Sequence, residues 1–186
     1  NPGLFLVSCG MAIFGKRGEI SGIRATGTGV ICRFEKVEKL PVAHAPSIFK
    51  RSGTLGICYD SKYRMASDSD FLRRVLKERT FIVLPYVGYA YRELDSARLR
   101  KILVGYYFNA RGLAKFFKAR PFAIGWQIAK EMAKALVYLA LAPLGLFGVL
   151  IRKRSRPPTE SEREDFLRAR AVVQAVHDRI LAQRGS

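Results

Sequence analysis

Acid is scarce in this sequence. Its 186 residues hold 15 Asp and Glu against 33 Lys and Arg, a formal net charge of +18. Cysteine is scarcer still: Cys9, Cys32 and Cys58 are the only three, and no two form a CxxC pair. An odd count without that spacing excludes a disulfide framework and a zinc knuckle, and predicts reduced, mostly buried thiols. The two histidines, His44 and His177, lie far apart and make no metal motif with the cysteines. The stretch Arg24–Gly29 carries two glycines and two threonines, but neither the GKS ending of a P-loop nor GxGxxG spacing, so it reads as a plain loop. No secretory-leader pattern opens the chain.

What is present is apolar content. Hydrophobic residues make up 49% and mean hydropathy is +0.02, which excludes a disordered polybasic tail. A folded protein this basic points to an anionic partner: nucleic acid, an anionic membrane surface or a phosphorylated substrate. Asn1-Pro2-Gly3 leads directly into the strand-like Leu4–Val7, and a start inside a core strand predicts that a further part of a larger protein precedes it.

Leu4–Phe14 is rich in strand formers, Gly15-Lys16-Arg17-Gly18 is a turn signal, and Glu19–Ile23 alternates polar and apolar, which together predict a β-hairpin. Ser47 can cap a short helix ending near Gly53. Asp68 or Ser69 can cap the next helix, whose Phe71, Leu72, Val75 and Leu76 have helical spacing. Phe81–Leu84 reads as a short buried strand stopped by Pro85. Strand, loop, helix and strand in alternation predict an α/β layer architecture.

After Asp95 the character changes. From Arg98 to Lys134 nine basic residues face a single acid, Glu131, and aromatics such as Tyr106, Phe116 and Trp126 are interleaved. Ala135–Ile151 then carries no charge and closes on Arg152-Lys153-Arg154. A spanning helix needs about 20 apolar residues, so this stretch is borderline. It is expected to be membrane-inserted or interfacial, with a hairpin of buried core helices as the alternative. Arg156-Pro157-Pro158 reads as a linker and Thr159-x-x-Glu162 as a capping box. Phe166, Ala169, Val173, Val176 and Ile180 form the seam of an amphipathic helix that docks on the body or pairs with a partner helix.

Asp60, Asp68 and Asp70 bring three acids close together in this acid-poor chain. A carboxylate at a helix start is stabilised as the anion by free backbone N–H groups and the helix dipole, so it suits a general base. The bland reading of Asp68 is a helix cap.

The segments His44–Gly53, Gly56-Ile57-Cys58-Tyr59-Asp60 and Tyr63–Arg74, in that order, resemble the C-terminal half of family 2 glycosyltransferases, closest to bacterial members that build surface polysaccharides. The resemblance covers roughly residues 5 to 96. It implies the C-terminal half of a GT-A fold, 1–96; the residue pattern beyond it predicts membrane-associated helices, 97–154, and a linker with an amphipathic helix, 155–186. It implies that Asp68 deprotonates the acceptor hydroxyl as that oxygen attacks the anomeric carbon with inversion. Asp60 matches the acid of the family's Gly-x-Phe-Asp element, with Tyr59 in place of Phe. Asp70 matches the second acid, His44 the residue that opens the pattern, and Arg92 is a further candidate substrate contact.

The implied partners are a nucleotide-sugar donor, a saccharide or lipid-linked acceptor, and an anionic membrane surface at the cytoplasmic face of the cell membrane. A divalent cation, Mg or Mn, is expected in the complete enzyme, with ligands mostly outside this chain. The segment Tyr89–Ser96 lacks the metal-ligating His that many relatives carry there. The chain alone, holding the acceptor half without the donor half, is expected to be inactive. The competing readings are a basic nucleic-acid-binding module and a membrane adaptor without catalysis. The absence of a recognisable nucleic-acid-binding motif disfavours the first.

Overall fold

The computed structural model of the chain describes residues 3–15, 18–36, 38–93 and 98–184. It is a mixed α/β protein built on a mixed sheet. The strands are β1 (Leu6–Phe14), β2 (Ile20–Arg24), β3 (Ile31–Arg33), β4 (Ile48–Phe49) and β5 (Thr80–Arg92), and the main sheet order is β2-β1-β5-β3 with β4 on β1. β1 and β2 pair antiparallel, as the hairpin signal predicts. Gly18 N–H donates to Gly15 O across the turn; Lys16 and Arg17 lie outside the described residues. β1 runs parallel to β5 along its length, which requires the intervening crossover through helix α1 (Ser67–Leu76).

Leu6 is fully buried in β1, and α1 turns Phe71, Leu72, Val75 and Leu76 onto the sheet. These join Phe5, Phe81 and Val83 in one core. Burial of such side chains contributes about 1.5–3 kcal/mol each. Leu113 of α2 (Leu99–Ala114) and Ile124 of α3 (Pro121–Leu141) belong to the same core, so the helices after residue 97 close over the sheet region. Gly27 is where the Arg24–Gly29 loop crosses β5. A Cβ there would stand 2.4 Å from both Val83 Cβ and its carbonyl oxygen, a clash that excludes a side chain.

Four expectations need correction. β5 does not stop at Pro85 but runs to Arg92. β3 covers only Thr80–Ile82, so the edge at Pro85 needs no N–H, and the register with β1 is irregular there. Ser47 caps no helix: its hydroxyl donates to Ala43 O at 2.5 Å, and the chain forms β4 and then a 3-10 turn, Arg51–Gly53. The cysteines are free, but Cys32 and Cys58 are exposed rather than buried.

The fourth concerns the uncharged stretch. Among the described residues no helix is long and apolar enough to cross a membrane, which overturns insertion as a span. The stretch is split between the end of α3 and the short α4 (Phe147–Arg152), and Gly145 adopts φ +75° in the turn between them. Earlier in α3, Lys130, Glu131 and Lys134 interrupt the apolar run.

The final helix, α5 (Glu160–Arg184), starts on the predicted capping box. Thr159 N–H donates to Glu162 Oε2 (2.9 Å) and Glu162 N–H donates to Thr159 Oγ1 (3.3 Å). The segment before it is pinned, because Arg156 and Ile23 exchange backbone hydrogen bonds of 2.8 and 3.1 Å. Of the α5 seam, Phe166 packs against Phe14 and the small cluster of Ala12, Ile20 and Ile23; Val173, Val176 and Ile180 are exposed.

Candidate active site

The three clustered carboxylates are brought to the start of α1 but have different surroundings. The segment before the helix turns at Asp60, whose Oδ1 accepts from Lys62 N–H (3.0 Å) while Tyr63 N–H donates to its carbonyl (3.0 Å). Ala66, not Asp68 or Ser69, occupies the N-cap, with φ 55° in the left-handed region, a conformation that costs a non-glycine residue about 1–2 kcal/mol. Asp68 therefore lies inside the first helical turn.

Asp70 is buried and wired. Its Oδ2 accepts from Arg74 Nε at 2.9 Å and its Oδ1 from Lys115 Nζ at 2.8 Å. Lys115, just beyond α2, also donates to Asp60 Oδ2 at 3.1 Å and lies 4.4 Å from the centre of the Tyr63 ring. Burial works against the Lys115 ammonium, but its hydrogen bonds, that to Asp70 foremost, outweigh it and hold its pKa above the ordinary lysine value. Asp60 is held below the usual carboxylate range, first by the Lys62 N–H and then by Lys115. Asp60 and Asp70 thus form a strut that ties the turn and α1 to the end of α2.

Asp68 is exposed. Its Oδ1 accepts from Ser69 N–H at 2.8 Å, and among the described residues no cation forms a salt bridge with it. It lines a cleft of about 270 Å³ with Met65, Tyr91, Glu93, Tyr106, Asn109 and Arg154. Burial, followed by the nearby Tyr138, pushes the Tyr106 phenol up to about 12, so it remains a neutral hydroxyl able to donate. Glu93 is clamped by Arg24 (2.5 Å) and Arg154 (3.2 Å), which draws the chain after α4 to one wall of the cleft.

His44 stands behind this site. Its Nε2 lies 2.6 Å from Tyr59 Oη, and its ring packs in a group with Phe49, Tyr59 and Phe71. Tyr59 stacks on Phe71 at 4.5 Å, and burial and then the Asp68 charge raise its pKa. Arg92 is exposed at the end of β5. Tyr91 and Glu93 line the cleft and Arg92 between them does not, as strand alternation dictates.

The structure thus gathers Asp60, Asp68 and Asp70 around the α1 start, sets His44 against Tyr59, and leaves Arg92 on the other face. Lys115, Tyr106, Asn109, Glu93 and Arg154 have no local signature in the sequence, because folding brings them in from α2 and its end, from the end of β5 and from the chain after α4. Among the described residues no group of three or more His, Cys, Asp or Glu is placed to hold a metal ion. Comparison of the chain with protein-family models, with curated proteins and with solved structures finds no match in any of the three.

Proposed function

We propose that this chain carries the acceptor half of an inverting glycosyltransferase site of the GT-A, family 2 kind, with Asp68 as the base. One observation carries the proposal: of the three clustered carboxylates, two are committed to Lys115 while Asp68 faces an open cleft at a helix N-terminus. The ordered resemblance from His44 to Arg74 supports the same assignment.

In this mechanism an acceptor hydroxyl lies within hydrogen-bond reach of Asp68. The carboxylate takes its proton as the oxygen bonds to the anomeric carbon of the donor sugar. The bond from that carbon to the diphosphate oxygen breaks, and the nucleoside diphosphate leaves from the opposite face. In the first turn of α1 the Ser69 N–H holds the Asp68 carboxylate in place through its Oδ1. Tyr106 offers a hydroxyl donor and Tyr91 an aromatic wall to a bound saccharide. A divalent cation, Mg or Mn, would supply charge neutralisation for the leaving diphosphate in the complete enzyme, with ligands mostly outside this chain. The acceptor is a saccharide or lipid-linked saccharide met at the cytoplasmic face of the cell membrane.

The test is amide chemical-shift mapping of the chain titrated with a panel of mono- and disaccharides, and separately with nucleotide sugars. Saccharides are expected to perturb Met65, Asp68, Tyr91 and Tyr106, and nucleotide sugars to leave the cleft unperturbed. A strong nucleotide-sugar site within these 186 residues, or no saccharide response at the cleft, would count against the proposal.

A further inference from the structure

Helix α3 is apolar on two opposite faces. One carries Ile124, Ile128 and Tyr138 into the protein, with the buried Glu131 held there by Lys134 (2.8 Å) and Gln127 (3.3 Å). The opposite face follows the spacing of three and four residues: Phe122, Trp126, Ala129, Ala133 and then Leu136 and Val137. No charged residue falls on that line. Phe122 is 92% exposed, and Trp126 and Leu136 are each 65% exposed. Leu144 and Leu146 are exposed in the turn that follows, and Val149 is exposed in α4.

A helix on the surface of a water-soluble body turns polar residues outward; one that is apolar all round is covered on both sides. The surroundings of this face select what covers it. Lys130 and Lys134 lie along one shoulder, Lys118 precedes the helix, and Arg152 and Lys153 close α4, all exposed. Lys130 Nζ sits 5.2 Å from the centre of the Trp126 ring. A second copy of the chain would set these cations against their own kind. An anionic headgroup layer complements them, while the acyl layer below takes the Leu, Val, Phe and Trp side chains.

We infer that the outer face of α3, with the following turn and α4, is a monotopic docking surface for an anionic lipid monolayer. The helix lies in the interface with its axis along the membrane and does not cross it. The groove beside it, lined by Lys134, Val137, Leu150 and Lys153, shares Tyr106, Asn109 and Arg154 with the Asp68 cleft. Docking therefore brings the cleft close to the lipid surface. This inference stands without the transferase proposal, because its readout is lipid binding alone.

Trp126 is the only tryptophan, so its emission reports on this face directly. The full chain is mixed with vesicles of phosphatidylcholine, alone or with one-third phosphatidylglycerol, and floated on a density gradient. The expected result is flotation with the anionic vesicles, weakened by salt. Trp126 emission should move to shorter wavelength, with quenching by brominated acyl chains. Leu136→Glu should reduce the bound fraction about tenfold or more. Ala171→Glu, the same charge change on exposed α5, should leave binding intact. Because the chain is so basic, equal losses from the two variants would reduce the interaction to diffuse charge attraction and overturn the inference. Failure to float would overturn it too, as would a lipid-free dimer in which Trp126 is already shielded.

Discussion

Helices α1 and α3 are packed against the same core and differ in how they end at solvent. α1 commits one face to the sheet and satisfies its buried polar groups: Asp70 has Arg74 and Lys115, and the helix start is ordered by the Asp60 turn. α3 commits one face to the protein and leaves its other apolar face uncovered. A hydrogen-bonded buried carboxylate and an uncovered apolar stripe are both unusual placements, but they respond oppositely to change. Removing the first strips Arg74 of its carboxylate and leaves Lys115 with Asp60 alone. Removing the second costs the folded state almost nothing, so whatever maintains it lies outside the fold.

The largest expected stability effect falls on the wired region. Asp70→Ala should lower stability by about 2–3 kcal/mol, discounted from a fully buried pair because Lys115 and Arg74 both reach solvent. Chemical denaturation measures this, and a loss under about 0.5 kcal/mol would mean that the strut is incidental. The same strut has a pH signature. Lys115 has a raised pKa in the fold, so its contribution is complete below the ordinary lysine value of 10.5 and fades as pH rises through the folded value.

Next in size is the start of α5. Glu162 is pulled down to about 2, first by its hydrogen bonds with Arg156 and then with help from the Thr159 N–H. A depressed carboxylate stabilises the fold above its ordinary value of 4.5, and that contribution is lost as pH falls toward about 2. Glu162→Gln should remove this acid-sensitive step and cost about 1 kcal/mol, read by circular dichroism across an acid titration. Identical acid profiles for the two proteins would dissociate the capping box from α5 stability.

Smaller still is Ala66→Gly, which relieves the left-handed N-cap and should stabilise by about 0.5–1 kcal/mol. A loss would mean that the methyl group packs usefully. At the bottom is Leu136→Ser on the outer face of α3, expected to change stability within about 0.5 kcal/mol either way. A larger loss would show that this face is already covered in the folded chain and would erase the contrast with α1.

Much of the sheet and α1 was readable from residue order. The β1–β2 hairpin, the Phe71–Leu76 face and the Thr159 capping box depend on neighbours within a few positions, where periodicity and capping chemistry act. Pro85 misled because its tolerance depends on which edge of β5 is open, and that is set by β3, some fifty residues earlier. The break between α3 and α4 was hidden because Pro143 and Gly145 are consistent with both a membrane helix and a turn. At the site, the acidic cluster was visible, but its division into one open and two committed carboxylates was not. That division is made by Lys115, which joins Asp60 across 55 positions and Asp70 across 45. No local pattern encodes such a tie.

Under the transferase proposal Asp68 removes the acceptor proton. The most direct measurement is the transfer rate of Asp68→Asn against the wild type in the full-length protein, at matched unfolding midpoints. A fall of about 10²- to 10⁴-fold with the fold intact is the predicted result. Wild-type transfer by Asp68→Asn would contradict it and return this residue to a structural part at the start of α1.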